Sequence, residues 1–277
     1  MTLNSIDAIF SMRNGVEIPV LGLGVFRAND GEEVMEAVRH ALDWGYRSID
    51  TASIYGNEKG VGAAVEKHEV PRSEIFLTTK VWNTDQGYKK TMEAFHHSLE
   101  RLRTDYLDLY LVHWPVEGLY KETWSALEDL YDSGKVRAIG VSNFNIHHLE
   151  DILSDCRIVP MVNQVEFHPF LVQNELHHFC RSEEILTQAW SPILRGRVND
   201  IALLNTIGEK YGKNAVQVTL RWEIQKGIVV IPKSVRKDRI QSNADIFDFE
   251  LSPLEVELID ALNKNERVGP DPENFDF

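Results

Sequence analysis

Asp50 and Tyr55 stand close together in the chain, at a spacing that could place a carboxylate beside a proton-donating phenol. An apolar run typical of a β-strand ends at Asp50, small residues follow, and Tyr55 lies in the loop beyond. A carboxylate at the end of a strand could hold a partner that tunes the phenol as an acid. An acidic residue that only caps a turn would give the same pattern. The choice between these interpretations depends on what ends the later strands.

Two further ionisable residues end strand-like runs, Lys80 and His113. A nearby ammonium stabilises a phenolate, so Lys80 is expected to lower the pKa of Tyr55. Asp50 would keep that ammonium charged, and His113 could hydrogen-bond a carbonyl oxygen. Together the four residues predict a proton donor aimed at a carbonyl, without a metal.

Reducing a carbonyl also requires a hydride source, and several polar and aromatic residues could hold one. Trp190 offers a flat face for a nicotinamide ring. The candidates for hydrogen bonds to the carboxamide of that ring follow later strands: Ser142, Asn143 and Gln164.

A basic cluster could bind the phosphates of such a cofactor. Lys233, Arg236, Lys237 and Arg239 follow the last strand-like run and adjoin a helix start. They stand out because the whole chain carries a net charge of −14. Arg239 could pair bidentately with a ribose 2′-phosphate, which favours NADP over NAD. A solvated basic turn is the alternative interpretation.

The elements that must position these residues repeat at intervals of roughly 25 to 30 residues, the size of one strand-helix unit. Eight such units predict one (β/α)₈ TIM barrel, as a single domain over residues 1–277, with the active site at the carboxyl ends of the strands. An N-terminal β-hairpin is expected over residues 10–20, and extra helices near the C-terminus over 215–225 and 252–262. The strand-like runs are 20–23, 46–49, 75–79, 106–112, 138–142, 161–165, 186–189 and 228–231, and the helical patterns between and after them are 30–44, 57–67, 88–103, 121–131, 145–153, 173–182, 200–211 and 237–244.

A doubly wound sheet is the alternative fold. It should carry a phosphate-binding glycine motif after its first strand. Gly22 and Gly24 give the first two glycines, but the third is absent at the required spacing. The motif therefore fails.

Composition limits the classes of partner. The acidic excess argues against nucleic acid or an anionic membrane as the main partner. The sequence shows neither a long apolar run nor a secretion signal, so we expect a cytoplasmic protein, and we expect it to be monomeric. Cys156 and Cys180 lack metal-ligand spacing and are expected to be buried thiols.

The chain resembles the aldo-keto reductases over nearly its whole length. It is similar to the short microbial members that include glyoxal and methylglyoxal reductases, 2,5-diketogluconate reductases and protozoal prostaglandin F synthases. The motifs that carry the resemblance are Gly45-Tyr46-Arg47-Ser48-Ile49-Asp50-Thr51-Ala52, Tyr55-Gly56-Asn57-Glu58, Lys80-Val81-Trp82, Leu109-Tyr110-Leu111-Val112-His113-Trp114-Pro115, Gly140-Val141-Ser142-Asn143-Phe144, Asn163-Gln164-Val165-Glu166-Phe167-His168-Pro169 and Ile231-Pro232-Lys233-Ser234.

The resemblance implies an NADP-dependent oxidoreductase that reduces small aldehydes and ketones, such as methylglyoxal or glyoxal. Tyr55 would be the proton donor, tuned by Lys80 and Asp50, and His113 would orient the substrate. The residues implied to hold the cofactor are Ser142, Asn143, Gln164, Trp190, Ser191, Lys233, Ser234, Val235, Arg239 and Asn243.

The chain departs from the family pattern at two places near the cofactor. Ser242 replaces a glutamate found in many relatives, and the run Ser191-Pro192-Ile193-Leu194 differs from the usual loop. For the substrate, Phe26, Trp82 and Trp114 would form an aromatic funnel above the nicotinamide, and His113 would also contact the substrate. Only residues 263–277 remain as a lid, which suggests an open pocket and broad acceptance of small carbonyl compounds.

Two other functions are compatible with these residues. Lys80 could form a Schiff base, as in barrel aldolases. The barrel could instead hold its cofactor mainly as a binding or regulatory subunit, as the related potassium-channel β subunits do.

Overall fold

The structure is a computed structural model that describes residues 3–277. A hairpin comes first, formed by the antiparallel strands β1 (Ile9–Ser11) and β2 (Glu17–Pro19). The hairpin predicted over residues 10–20 is confirmed, and Asn14 and Gly15 lie in its loop, which is closed by the N–H of Met12 donating to the carbonyl of Val16. Gly15 has a φ of 80°, a conformation that glycine adopts readily.

Eight parallel strands follow and form the barrel that the sequence predicted. Their carboxyl ends all point to one rim, where the candidate residues lie. The strands are β3 (Leu23–Gly24), β4 (Ser48–Asp50), β5 (Phe76–Val81), β6 (Leu107–Val112), β7 (Val136–Ser142), β8 (Val162–Glu166), β9 (Leu186–Trp190) and β10 (Val229–Val230).

The barrel closes between its first and last strands. Gly22 donates its N–H to the carbonyl of Val230 over 2.8 Å, and Val230 donates to Val20 over 2.9 Å. A Cβ atom on Gly24 would lie 2.7 Å from the backbone oxygen of Ile231. Close strand contact at the seam therefore requires glycine at position 24, which explains the second glycine of the incomplete phosphate motif.

Helices cover the outside of the sheet. In the described part of the chain they are α1 (Glu32–Asp43), α2 (Glu58–Lys67), α3 (Tyr88–Leu102), α4 (Tyr120–Asp132), α5 (Ile146–Leu153), α6 (Asn174–Ser182), α7 (Ala202–Tyr211), α8 (Ala215–Gln225), α9 (Lys237–Ala244) and α10 (Pro253–Asp260). The two extra helices are thus α8 and α10. Ser252 caps α10 by accepting the N–H of Glu255, as the Ser-Pro start predicted.

Two local predictions were wrong in detail. The helix predicted over 30–44 begins only after Gly31, because the carboxylate of Asp30, which could have capped it, instead accepts the N–H of Gly60 in α2 over 2.8 Å. The second barrel strand begins at Ser48, two residues later than expected, because Tyr46 turns away to donate its hydroxyl to Ile240.

The core fills the barrel and the layer beneath the helices. Cys180 is buried as expected, whereas Cys156 is only partly buried. Within residues 3–277, no helix is long and apolar enough to cross a bilayer.

Candidate active site

Lys80 and Asp50 form an ion pair inside the carboxyl end of the barrel. The Nζ atom of Lys80 lies 2.6 Å from Oδ1 of Asp50 and donates to the carbonyl of Thr51 over 2.8 Å. Adjacent strands β4 and β5 carry the pair, and both side chains are buried. Burial lowers the pKa of Lys80, while the carboxylate of Asp50 acts against that shift.

Tyr55 lies over this pair on a short 3₁₀ turn that follows β4. The Nζ atom of Lys80 is 5.2 Å from the centre of the Tyr55 ring. The expectation that Lys80 lowers the pKa of the phenol is not met. Burial raises the pKa of Tyr55 well above its ordinary value, and the negative charge of Asp50 raises it further. The phenol therefore stays protonated across physiological pH, as a proton donor must.

His113 follows β6 and stands beside Tyr55, with 5.8 Å between the centres of the two rings. Burial and the charge of Lys80 hold the pKa of His113 well below its ordinary range, so the imidazole is neutral. Its Nδ1 atom is buried and has no hydrogen-bond partner among the described residues. A neutral imidazole can donate one hydrogen bond, which suits a carbonyl oxygen.

Asn143 joins the strand ends that carry the predicted nicotinamide contacts. Its side chain donates to the carbonyl of His113 over 3.0 Å and to Oγ of Ser142 over 3.1 Å. Its Oδ1 atom accepts the indole N–H of Trp190 over 2.8 Å. The backbone of Asn143 has a φ of 64°, the left-handed conformation that asparagine tolerates. The amide thus fixes one edge of the Trp190 ring.

Gln164 contacts Asp50 directly, across the interior of the barrel. Its Nε2 atom donates to Oδ2 of Asp50 over 2.7 Å and to Oε1 of Gln188 over 2.9 Å. The two oxygens of Asp50 therefore bind Lys80 on one side and Gln164 on the other. This contact links the predicted carboxamide site to the predicted proton donor.

The basic cluster lies at the start of α9, as predicted. Arg236 is paired with Asp238 over 2.7 Å, but Lys233 and Arg239 are exposed and make no ion pair with any described residue. Ser234 is buried and its Oγ atom accepts the N–H of Arg236. Lys237 is likewise exposed and without an ion pair among the described residues, so three cations and the first N–H groups of a helix are available to a phosphate group.

The remaining predicted cofactor contacts flank this cluster and Trp190. Val235 is partly buried, Asn243 is buried on α9, and Ser191 follows Trp190 with a φ of 52°. Ser242 accepts a hydrogen bond from Asn214 over 3.3 Å. In the divergent loop after Ser191, Leu194 has a φ of 51°, so the chain turns sharply there.

An aromatic wall borders Tyr55 and His113. Phe26 lies 5.0 Å from the ring of Tyr55, and Trp82 lies 5.1 Å from His113. The C-terminal segment, residues 263–277, completes the wall. Phe277 stacks on Trp82 at 5.7 Å and meets Trp114 edge-on at 5.2 Å, so Trp114 is 5% exposed.

The sequence reasoning missed several residues that shape this rim. Phe275 and Phe277 were covered only by the suggestion of a lid. Gln188, which orients Gln164, had no motif of its own. Glu166 belongs to a quoted motif but had no assigned role; it binds backbone N–H groups of Val268 and Gly269.

One group of side chains in the described part of the chain is close enough to hold a metal ion: His147, His148 and Glu273. Nδ1 of His148 already accepts the N–H of Asn145, which caps α5. The group shares no residue with the predicted site, so we assign no metal to it.

A closed parallel barrel brings the buried Lys80–Asp50 pair, Tyr55, His113 and Trp190 to one rim. The model for the Aldo/keto reductase family matches residues 20–264. The chain belongs to this family, which confirms the predicted resemblance, fold and enzyme class.

Named relatives and a solved structure agree with this assignment. The chain is 56% identical to glyoxal reductase of Bacillus subtilis (strain 168) over 99% of both chains. It is 43% identical to methylglyoxal reductase DkgA of Escherichia coli (strain K12), over 96% of this chain and 98% of the relative. A mutant of Gox0644 in complex with NADPH matches with a TM-score of 0.93 and 43% identity, over 98% of this chain and 99% of the other.

Proposed function

We propose that this chain reduces small aldehydes and ketones, such as glyoxal and methylglyoxal, to alcohols with NADPH. The observation that carries the proposal is the convergence of Tyr55, Lys80, His113 and Trp190 at one rim of the barrel. The similarity to glyoxal and methylglyoxal reductases supports the same substrate class.

The cofactor, when bound, supplies the hydride that goes to the carbonyl carbon. Tyr55 donates its proton to the carbonyl oxygen, so that carbonyl, hydride and proton together give the alcohol. The neutral imidazole of His113 hydrogen-bonds the same oxygen and fixes its direction. Lys80 supplies a positive charge near the phenol as its proton leaves, and Asp50 holds that charge in place.

The residues around Trp190 and α9 fit NADPH. Trp190 provides the stacking face, and Ser142, Asn143 and Gln164 lie at neighbouring strand ends. The adenosine phosphate would meet Lys233 and Arg239, whose charges have no other partner in the described part of the chain. Ser191, Ser234, Val235 and Asn243 would complete the cofactor contacts.

The aromatic wall supports small substrates. Phe26, Trp82 and Trp114 are the proposed substrate contacts, together with His113. Because Phe277 covers Trp82 and Trp114, the space beside His113 is narrower than an open rim would leave. Small carbonyl compounds suit this space better than bulky ones.

A Schiff-base aldolase is disfavoured by the environment of Lys80. Its amine is fully buried and bonded to Asp50 and Thr51, so a substrate carbonyl has no route to it. Borohydride trapping with a carbonyl compound tests this point, since only an aldolase would be labelled at Lys80. A mainly regulatory barrel would bind NADPH but leave it unoxidised in the assay below.

The deciding experiment measures NADPH oxidation with methylglyoxal and glyoxal by the wild type and by Tyr55→Phe. We expect the wild type to turn over both aldehydes and the variant to lose at least about 10²-fold in kcat/KM. The variant should still bind NADPH, because Tyr55 makes none of the proposed cofactor contacts. Equal rates for the two proteins would rule out Tyr55 as the acid.

We also infer that the enzyme works as a single-domain monomer in the cytoplasm without nucleic acid. Its net charge of −14 supports the absence of a polyanionic partner. Size-exclusion chromatography with light scattering measures the molar mass in solution and so tests the monomeric state.

A further inference from the structure

The last residue of β8, Glu166, holds the C-terminal segment against the barrel rim. Its Oε1 atom accepts the N–H of Val268 over 2.6 Å and that of Gly269 over 3.2 Å. It also contacts Nε2 of His168 at 2.9 Å, and a guanidinium nitrogen of Arg267 lies 3.9 Å from Oε2. The side chain has no exposure to solvent. A fully buried carboxylate with two backbone N–H partners is a strong local anchor.

The C-terminal segment that Glu166 anchors lies against the ring of Trp190. A Cβ atom on Gly269 would lie only 2.3 Å from Cη2 of Trp190 and 2.8 Å from Cζ3. Glycine is therefore the one residue that allows the backbone to lie against this edge of the ring. Glu166 and Trp190 are also register partners on the neighbouring strands β8 and β9.

Trp190 is thus fixed at two opposite points. Its N–H is held by Asn143, and its far edge rests against Gly269. Asn143 is bonded in turn to the backbone of His113. Removing the support at Gly269 would free the ring to rotate about its side-chain bonds and to leave the plane that a nicotinamide needs.

We propose that Glu166 is a positioning residue that sets the plane of Trp190 through Gly269 and so strengthens NADPH binding. The inference rests on the proposed function for the place of the nicotinamide. It does not depend on which aldehyde is reduced.

The test measures the dissociation constant of NADPH, from the fluorescence of the bound nucleotide, for Glu166→Ala, Glu166→Gln and Gly269→Ala. We expect Glu166→Ala and Gly269→Ala each to weaken binding about 5- to 10-fold, the upper range for one aromatic contact. Glu166→Gln should recover part of the loss, because its amide oxygen still accepts an N–H. Gly269→Ala leaves the carboxylate of Glu166 in place. It therefore tests the same contact with Trp190 if Glu166→Ala does not fold.

Glu255→Ala is the matched control. Glu255 is also a buried carboxylate that accepts a backbone N–H, from Ser252, but it lies on α10 and contacts Lys210 and Tyr211. This variant should lower the melting temperature and leave the NADPH dissociation constant within about twofold.

A double-mutant cycle separates positioning from general stability. In a Trp190→Phe background, Glu166→Ala should change NADPH binding less than about twofold, because the indole edge that lies against Gly269 is gone. Full additivity would overturn the proposal, as would unchanged binding by both Glu166→Ala and Gly269→Ala. A wild type that binds NADPH but reduces no aldehyde would contradict the proposed function alone; a wild type that does not bind NADPH would contradict both.

Discussion

The ammonium of Lys80 and the carboxylate of Asp50 lie 2.6 Å apart in a site closed to solvent, and Gln164 binds the second oxygen of the same carboxylate. Every charge in this group is compensated by a partner on another strand. The carboxyl-end rim of the barrel therefore depends on hydrogen bonds that cross the barrel interior.

Breaking this pair from one side should destabilise the fold. Lys80→Met leaves a buried carboxylate and Asp50→Asn a buried ammonium, and each should cost about 3–5 kcal/mol of unfolding free energy. The double variant should lose less than the sum of the single losses. Urea unfolding measures the stability of all three variants. The exposed pair of Arg39 and Glu36 provides the control, because Arg39→Met should change stability little. Additive losses would show that the pair is not coupled.

The rate of reduction should depend little on pH near neutrality. Because the pKa of His113 lies well below its ordinary value of 6.5 and that of Tyr55 well above 10, neither group titrates between them. We expect kcat/KM for methylglyoxal to vary less than about threefold between about pH 6.5 and 9. An ionisation near pH 6.5 that disappears in His113→Gln would contradict this assignment.

The depressed pKa of His113 also affects stability, with a definite sign. Below about pH 6.5 the unfolded chain takes up a proton at His113 that the folded chain does not, so stability falls as the pH falls. The stability gained by keeping His113 neutral in the fold is fully present above pH 6.5. As the pH falls below 6.5, the free energy of unfolding decreases until the pH reaches the lower pKa of His113 in the folded state. Between pH 7 and pH 5 the urea midpoint should therefore fall less for His113→Gln than for the wild type.

Arg239 should decide between the phosphorylated and unphosphorylated dinucleotides. Arg239→Ala is expected to raise the KM for NADPH about 10-fold and to leave the KM for NADH nearly unchanged, because only NADPH carries the 2′-phosphate. Arg236→Ala is the matched control, since that guanidinium is paired with Asp238. Equal effects on the KM values for the two cofactors would rule out a contact between Arg239 and the 2′-phosphate.

Phe277 should limit the size of the substrate. Phe277→Ala removes the ring that stacks on Trp82, so kcat/KM for a bulky aromatic aldehyde should rise relative to that for methylglyoxal, by roughly 3- to 10-fold. Phe249→Ala, which removes a ring packed on Tyr211, is the control for lost aromatic volume. An unchanged substrate ratio would mean that the C-terminal segment does not border the substrate.

The sequence predicted the barrel well because each unit carries its own local pattern. Strand ends at Asp50, Lys80 and His113 could be placed from apolar runs and loop residues alone. The strand boundaries shifted where a side chain found a distant partner, as Tyr46 does with Ile240.

Long-range contacts could not be predicted in the same way. The bond between Gln164 and Asp50 joins residues 114 positions apart, and that between Glu166 and Val268 joins residues 102 apart. The direction of the Tyr55 pKa shift was also missed, because it depends on how deeply the phenol is buried. Charge partners can be guessed from a sequence, but desolvation requires coordinates.

Two residues of the aromatic wall, Phe275 and Phe277, belong to the C-terminal segment, which contributes no strand to the barrel. We expect substitutions there to alter which carbonyl compounds enter without disturbing the sheet or the buried ion pair. We therefore expect new substrate preferences to arise, during evolution or in directed mutagenesis, from variation of the tail while the barrel interior stays constant.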